Sequence, residues 1–105
     1  MNQFALTELK NAPAVPFKLD GKILFSSPNL EIIHLALKPG ESMDKHSQPF
    51  DVLFFIIEGS GTLEIGDETI HPVSGSSVWV EAGSMRKWSN LCTSLLRILV
   101  IKDLK

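Results

Sequence analysis

Turn-forming residues interrupt this chain about every eight to twelve positions. They stand at Asp20-Gly21, 26–29, Pro39-Gly40, 59–61, Gly66-Asp67, 74–76 and 81–84. Nothing between them keeps apolar residues at i, i+3, i+4 and i+7 over a helical length. Short apolar or alternating runs between closely spaced turns predict an all-β sandwich or closed barrel. The expected strands are 22–25, 30–37, 52–57, 62–65, 68–73, 77–80, 85–90 and 95–102. A short strand at 17–19 is expected to join the first of them through an Asp20-Gly21 hairpin turn. Residues 1–16 read as an N-terminal extension: an edge strand, one helical turn or a dimer arm. Pro13 and Pro16 stop any helix beyond Ala12. Residues 17–105 then form the barrel domain.

Two strands are apolar on both faces. In 52–57, Val52, Phe54 and Ile56 alternate with Leu53, Phe55 and Ile57. In 95–102, Leu96, Ile98 and Val100 alternate with Leu95, Leu99 and Ile101, and Arg97 alone breaks the second set. A barrel strand needs one apolar face. The other must lie under a second sheet, the N-terminal segment or another subunit, and a homodimer is the expectation. In 30–37, Leu30, Ile32, His34 and Ala36 share one face, and Glu31, Ile33, Leu35 and Leu37 share the other.

Size and charge narrow the partners. A chain of 105 residues makes one domain with one core. Ten Lys and Arg against twelve Asp and Glu give a net charge of −2 with no basic cluster, so nucleic acid is not an expected partner. No apolar run approaches the ~20 residues of a membrane helix, and the first residues do not read as a targeting segment. A single cysteine, Cys92, excludes an internal disulfide and fits a reducing cytoplasm. It is either a small apolar filler or a reactive thiol.

The segment 40–61 concentrates what chemistry there is. Pro39-Gly40 leads into a polar stretch with His46 and Gln48, the apolar run 52–57 follows, and Glu58-Gly59-Ser60-Gly61 closes it. From Gly40, five residues lead to His46-Ser47-Gln48, three more to Val52 and six more to Gly59. Further on, five residues separate Gly75 from Glu81-Ala82-Gly83, two more precede Arg86 and three more precede Asn90. These two spacings resemble the paired motifs of the cupin family, over about residues 30–102. The resemblance implies a double-stranded β-helix, the jelly-roll cupin barrel.

Typical cupins hold a divalent metal through two histidines and a glutamate of the first motif and a histidine of the second. Here those positions are His46, Gln48, Val52 and Arg86. Val52 has no donor atom, and Arg86 is a permanent cation where a cation would be ligated. The resemblance therefore implies the barrel and its pocket, with no cofactor expected. The alternative is a metal-dependent dioxygenase or isomerase with Fe, Mn, Ni or Zn on an altered set: His46, Gln48, Asp51 and His34. That set requires His34 to face the cavity and a bulge to turn Asp51 inward; His71 is a further candidate. A metal-free isomerase or cyclase with His46 as base is also open.

By the same resemblance, His46, Gln48, Val52, Phe54, Arg86 and Trp88 point inward. They would make an apolar cup with a few convergent polar groups, as in small-molecule sites. Arg86 suits a carboxylate or phosphate, His46 donates or accepts near neutral pH, and Trp88 offers a flat apolar face. The expected partner is a small anionic or partly apolar molecule. Equally, Arg86 could close an internal ion pair with Glu81 or Asp51, with Trp88 as barrel filling. No nucleophile beside a base, phosphate loop or catalytic carboxylate pair is present.

Overall fold

A computed structural model describes residues 2–105. Among the described residues a single 3-10 turn, Leu9–Asn11, precedes eight strands: β1 (Asp20–Ser26), β2 (Leu30–Leu37), β3 (Asp51–Glu58), β4 (Thr62–Ile65), β5 (Glu68–Ile70), β6 (Ser77–Val80), β7 (Arg86–Ser89) and β8 (Leu96–Asp103). All pairings are antiparallel. One sheet runs β1-β2-β8-β3-β6 and the other β5-β4-β7. The chain is thus an all-β double-stranded β-helix. None of its described helices is long and apolar enough to cross a membrane.

Alternation decides which side chains meet between the sheets. Ile33, Leu35 and Leu37 of β2, Val52, Phe54 and Ile56 of β3, and Leu96, Ile98 and Val100 of β8 enter one cluster. Val80 of β6 joins them from the same sheet, and Leu63 of β4 and Trp88 of β7 close the cluster from the other side. Each fully buried aliphatic chain of this kind contributes about 1.5–3 kcal/mol. The core therefore rests on the strands that looked apolar on both faces.

The outer face of the larger sheet stays open. Across it run Phe25, Ile32, Ile101, Leu53 and Trp79, each paired in register with the next. Trp79 is 59% exposed and Phe55, one row along, 38%.

The expected Asp20-Gly21 turn is not there. Both residues lie within β1, and the reversal falls at 16–19. Val15 N–H donates to Gly21 O (2.9 Å) and Ile23 N–H to Pro13 O (2.8 Å). Gly21 does not take a positive φ. It is small because the Val15 side chain packs against it, 2.6 Å from where a Cβ would stand. Pro16 sets the bend instead. Of the segment 1–16, Ala12 and Val15 are buried, while 2–11 are exposed.

A second extension frames the site. The segment 40–46 runs beside β7 as an irregular strand. Gly40 N–H donates to Asn90 O (2.8 Å), Met43 N–H to Trp88 O (3.0 Å), and His46 and Arg86 exchange both of their backbone bonds (3.1 and 2.9 Å). At the end of β3 a bulge between Ile56 and Glu58 turns the chain. Gly59 follows at φ 82°, with the Leu95 carbonyl where a Cβ would be.

Candidate ligand cavity

Two elements set the polar groups of the barrel interior. On β7, residues of one parity point inward, so Arg86 and Trp88 enter the core while Lys87 stays half-buried. The 40–46 segment, bonded to β7, brings His46 alongside, and Gln48 follows two residues on. The cavity between the sheets measures about 60 Å³. Ile33, Leu35, Phe54 and Val100 give it an aliphatic and aromatic wall, and Arg86 and Trp88 supply its buried nitrogen donors.

Arg86 is 3% exposed, and its Nε and Nη1 have no hydrogen-bond partner. Its guanidinium carbon lies 5.9 Å from the centroid of Phe54. Trp88 meets the same ring edge-on, centroids 5.5 Å apart, and its indole Nε1 is also buried without a partner. Burial pushes the Arg86 pKa down from its usual value, because an uncompensated charge is costly away from water. The ion pair with Glu81 or Asp51 is not formed. The Asp51 carboxylate instead accepts Ala82 N–H (2.8 Å), and among the described residues the ion pairs are Lys10–Glu8, Arg97–Glu58 and Lys102–Glu31.

His46 and Gln48 are half-buried and line both the cavity and the groove at its mouth. The His46 Nδ1 lies 3.0 Å from the Asp44 carbonyl. A carbonyl only accepts, so Nδ1 is the donor of this contact, and in the neutral ring Nε2 is the accepting nitrogen. Val52, by contrast, is fully buried in the core and does not line the cavity.

The alternative metal set does not assemble. His34 lies on the opposite face of β2, where its Nε2 accepts Arg97 Nε–H (3.0 Å). His71 is exposed beside Thr62 (3.3 Å). Among the described residues no three His, Cys, Asp or Glu side chains gather in one place. Two buried guanidinium N–H groups turned into a cavity repel a divalent cation, so this donor set does not fit one.

Several lining residues escape sequence reading. Val15 and Phe17 come from the segment ahead of β1, and Met43 from the 40–46 segment. Lys102 was findable: it shares parity with Leu96, Ile98 and Val100 and so points inward. Its ammonium is already paired with Glu31 (3.2 Å).

This fold and interior define a cupin barrel with a remodelled metal position. Residues 33–102 match the cupin domain family, and the chain belongs to it. It is 31% identical to the uncharacterized protein SCO3923 of Streptomyces coelicolor, over 96% of this chain and 94% of that one. An RmlC-like cupin from Shewanella frigidimarina superposes with a TM-score of 0.85 at 10% identity, over 98% of this chain and 93% of that one. The polyketide cyclase RemF of Streptomyces resistomycificus does so with a TM-score of 0.85 at 14% identity, covering 98% and 81%. At such identities these two likenesses concern the fold.

Proposed function

We propose that this cupin is a binding protein. Its barrel takes a small anionic, partly apolar ligand without a metal centre, and it works as a cytoplasmic homodimer. One observation carries the reading: Arg86, at a position of the usual metal ligands, is buried with two unpaired N–H groups directed at a cavity. Leaving buried donors unmet costs about 1–3 kcal/mol each, more when charged, and an anion would meet them. The single cysteine agrees with a reducing compartment.

The test is a thermal-shift screen of small carboxylates and sugar phosphates on untagged protein, with elemental analysis of the same batch. The reading expects an anion that raises the melting temperature of the wild type and not of Arg86→Ala. Stoichiometric Fe, Mn, Ni or Zn that disappears on His46→Ala would overturn it.

A second reading, a metal-free isomerase or cyclase with His46 as base, is favoured by the His46–Asp44 contact, which engages Nδ1 as donor and makes Nε2 the nitrogen of the neutral ring available as a base at the cavity mouth. RemF is a cyclase on the same fold. Exchange of a ligand C–H with D2O, lost in His46→Gln, would support it; a ligand that binds without exchange would count against it.

A further inference from the structure

Among the described residues, the buried side-chain polar atoms that lack partners are of one kind. Arg86 Nε, Arg86 Nη1 and Trp88 Nε1 are all donors, and neither side chain can accept in any protonation state it reaches in a protein. We infer that the cavity is built for a short-chain monocarboxylate whose oxygens accept from both Arg86 and Trp88 Nε1 and whose hydrocarbon packs on the aliphatic wall. This rests on the anion-site reading above and narrows it.

Three features select that class. The buried end offers unpaired donors alone, which favours a group that only accepts. A neutral amide or alcohol would leave the Arg86 charge unmet, and the lining side chains able to receive its N–H or O–H, His46 and Gln48, stand at the mouth. The charge to be met is single, because Lys102 is neutralised by Glu31. A carboxylate brings the cavity to neutrality, whereas a phosphate dianion would leave a surplus charge among Phe54, Ile33 and Leu35. Size is the third restriction. A buried water needs about 10–15 Å³ by the same kind of measure, so a cavity of about 60 Å³ takes roughly four to six non-hydrogen atoms. Propionate and butyrate have that size, and a sugar phosphate does not.

Trp88 makes this directly readable. The chain has two tryptophans, hence two indole N–H signals in a ¹H–¹⁵N spectrum, and Trp88→Phe identifies which belongs to the cavity. On titrating wild-type protein with propionate or butyrate, the Trp88 signal is expected to move downfield and saturate while that of Trp79 on the outer face stays put. Propionamide is expected to bind at least about tenfold more weakly, the cost of losing charge-assisted hydrogen bonds, and inorganic phosphate likewise, because of its surplus charge and its lack of a hydrocarbon to pack on the wall. By isothermal titration, Trp88→Phe is expected to weaken propionate binding about tenfold or more. Phosphate binding as tightly as propionate, and lost in Arg86→Ala, would sink the monocarboxylate while leaving the anion site standing. Propionate that binds without moving the Trp88 signal would remove Trp88 from the site. If no anion binds by either measurement, both readings fall.

Discussion

The Arg86 guanidinium lies 5.9 Å from the centroid of the Phe54 ring, and none of the ion pairs among the described residues includes it. A desolvated cation–π contact returns about 2 kcal/mol, while taking the charge out of water costs several. The unliganded barrel therefore holds Arg86 at a net loss. A ligand anion makes up that loss, and so does removal of the charge.

Arg86→Met keeps the length of the side chain and removes its charge and donors. We expect the ligand-free variant to be more stable than wild type by about 1–2 kcal/mol, a rise in melting temperature of about 4–8 °C per kcal/mol for a domain this size. The same change should abolish every anion-induced shift. Calorimetry with and without propionate checks both. A fall in stability would mean that the guanidinium is already well satisfied.

Much of this site was legible because strands obey a period of two. The bounds of β2, β4 and β6 coincide with the expected ones, and five of the six expected lining residues border the cavity. What failed did so for physical reasons. His34 was expected inward under the metal alternative, but each face of β2 carries three apolar residues and one polar one, and its own pattern does not say which face meets the core. Only the pairing with β8 settles that. The Asp20-Gly21 dipeptide carries two meanings, a turn and a close approach, and its sequence is the same for both. That Arg86 lacks a partner is a property of three elements together and has no linear signal. Lys102, by contrast, is legible in the linear pattern, at the same parity as Leu96, Ile98 and Val100.

Asn90 ties the barrel rim together. It is fully buried, its Nδ2 donates to Leu37 O and Ser94 O (both 2.8 Å), and its Oδ1 accepts Cys92 N–H (3.1 Å). One amide thus closes the end of β2, the end of β7 and the loop before β8. Asn90→Ala leaves buried carbonyls unmet and should cost about 2–4 kcal/mol. Asn90→Asp should cost at least as much, because it sets a carboxylate against two carbonyls. Urea unfolding monitored by tryptophan fluorescence measures both.

His34 should make stability depend on pH. Burial first, and the Arg97 charge second, push its pKa below the ordinary 6.5, while Asp20 opposes them. Its neighbours in register are Lys22 on β1 and Leu99 on β8, and Glu58 of β3 reaches it through Arg97 (3.2 Å). In the unfolded chain His34 takes up a proton below about pH 6.5, whereas in the folded chain it resists doing so. The contribution is therefore intact above that pH and shrinks as the pH falls from 6.5 toward the lower folded value. Melting temperature is expected to fall on acidification from pH 7 to 5. His34→Gln, which still offers an oxygen to Arg97, should flatten that slope. An unchanged slope in the variant would place the titration elsewhere.

The outer face of the larger sheet should bury itself against a second copy. Five strands about 4.8 Å apart and up to eight residues long give a face of roughly 20 by 25 Å. That is short of the ~800 Å² per partner of a stable interface, and the arm supplies the rest. Residues 2–11 are exposed throughout, with Phe4 89% and Leu6 82% exposed. At about 3.3 Å per residue an arm of this length reaches across a neighbouring sheet. In a two-fold pair each arm would cover the apolar row of the other protomer. Light scattering should give twice the monomer mass for the full chain. Trp79→Glu, which sets a charge in that row, should give monomers that keep the native circular dichroism. Deleting residues 2–11 should weaken the dimer at least about tenfold, by the loss of more than about 1.4 kcal/mol of buried Phe4 and Leu6. A wild-type chain that stays monomeric at 100 μM, or a dimer indifferent to both changes, would send the explanation of this open face to a different partner.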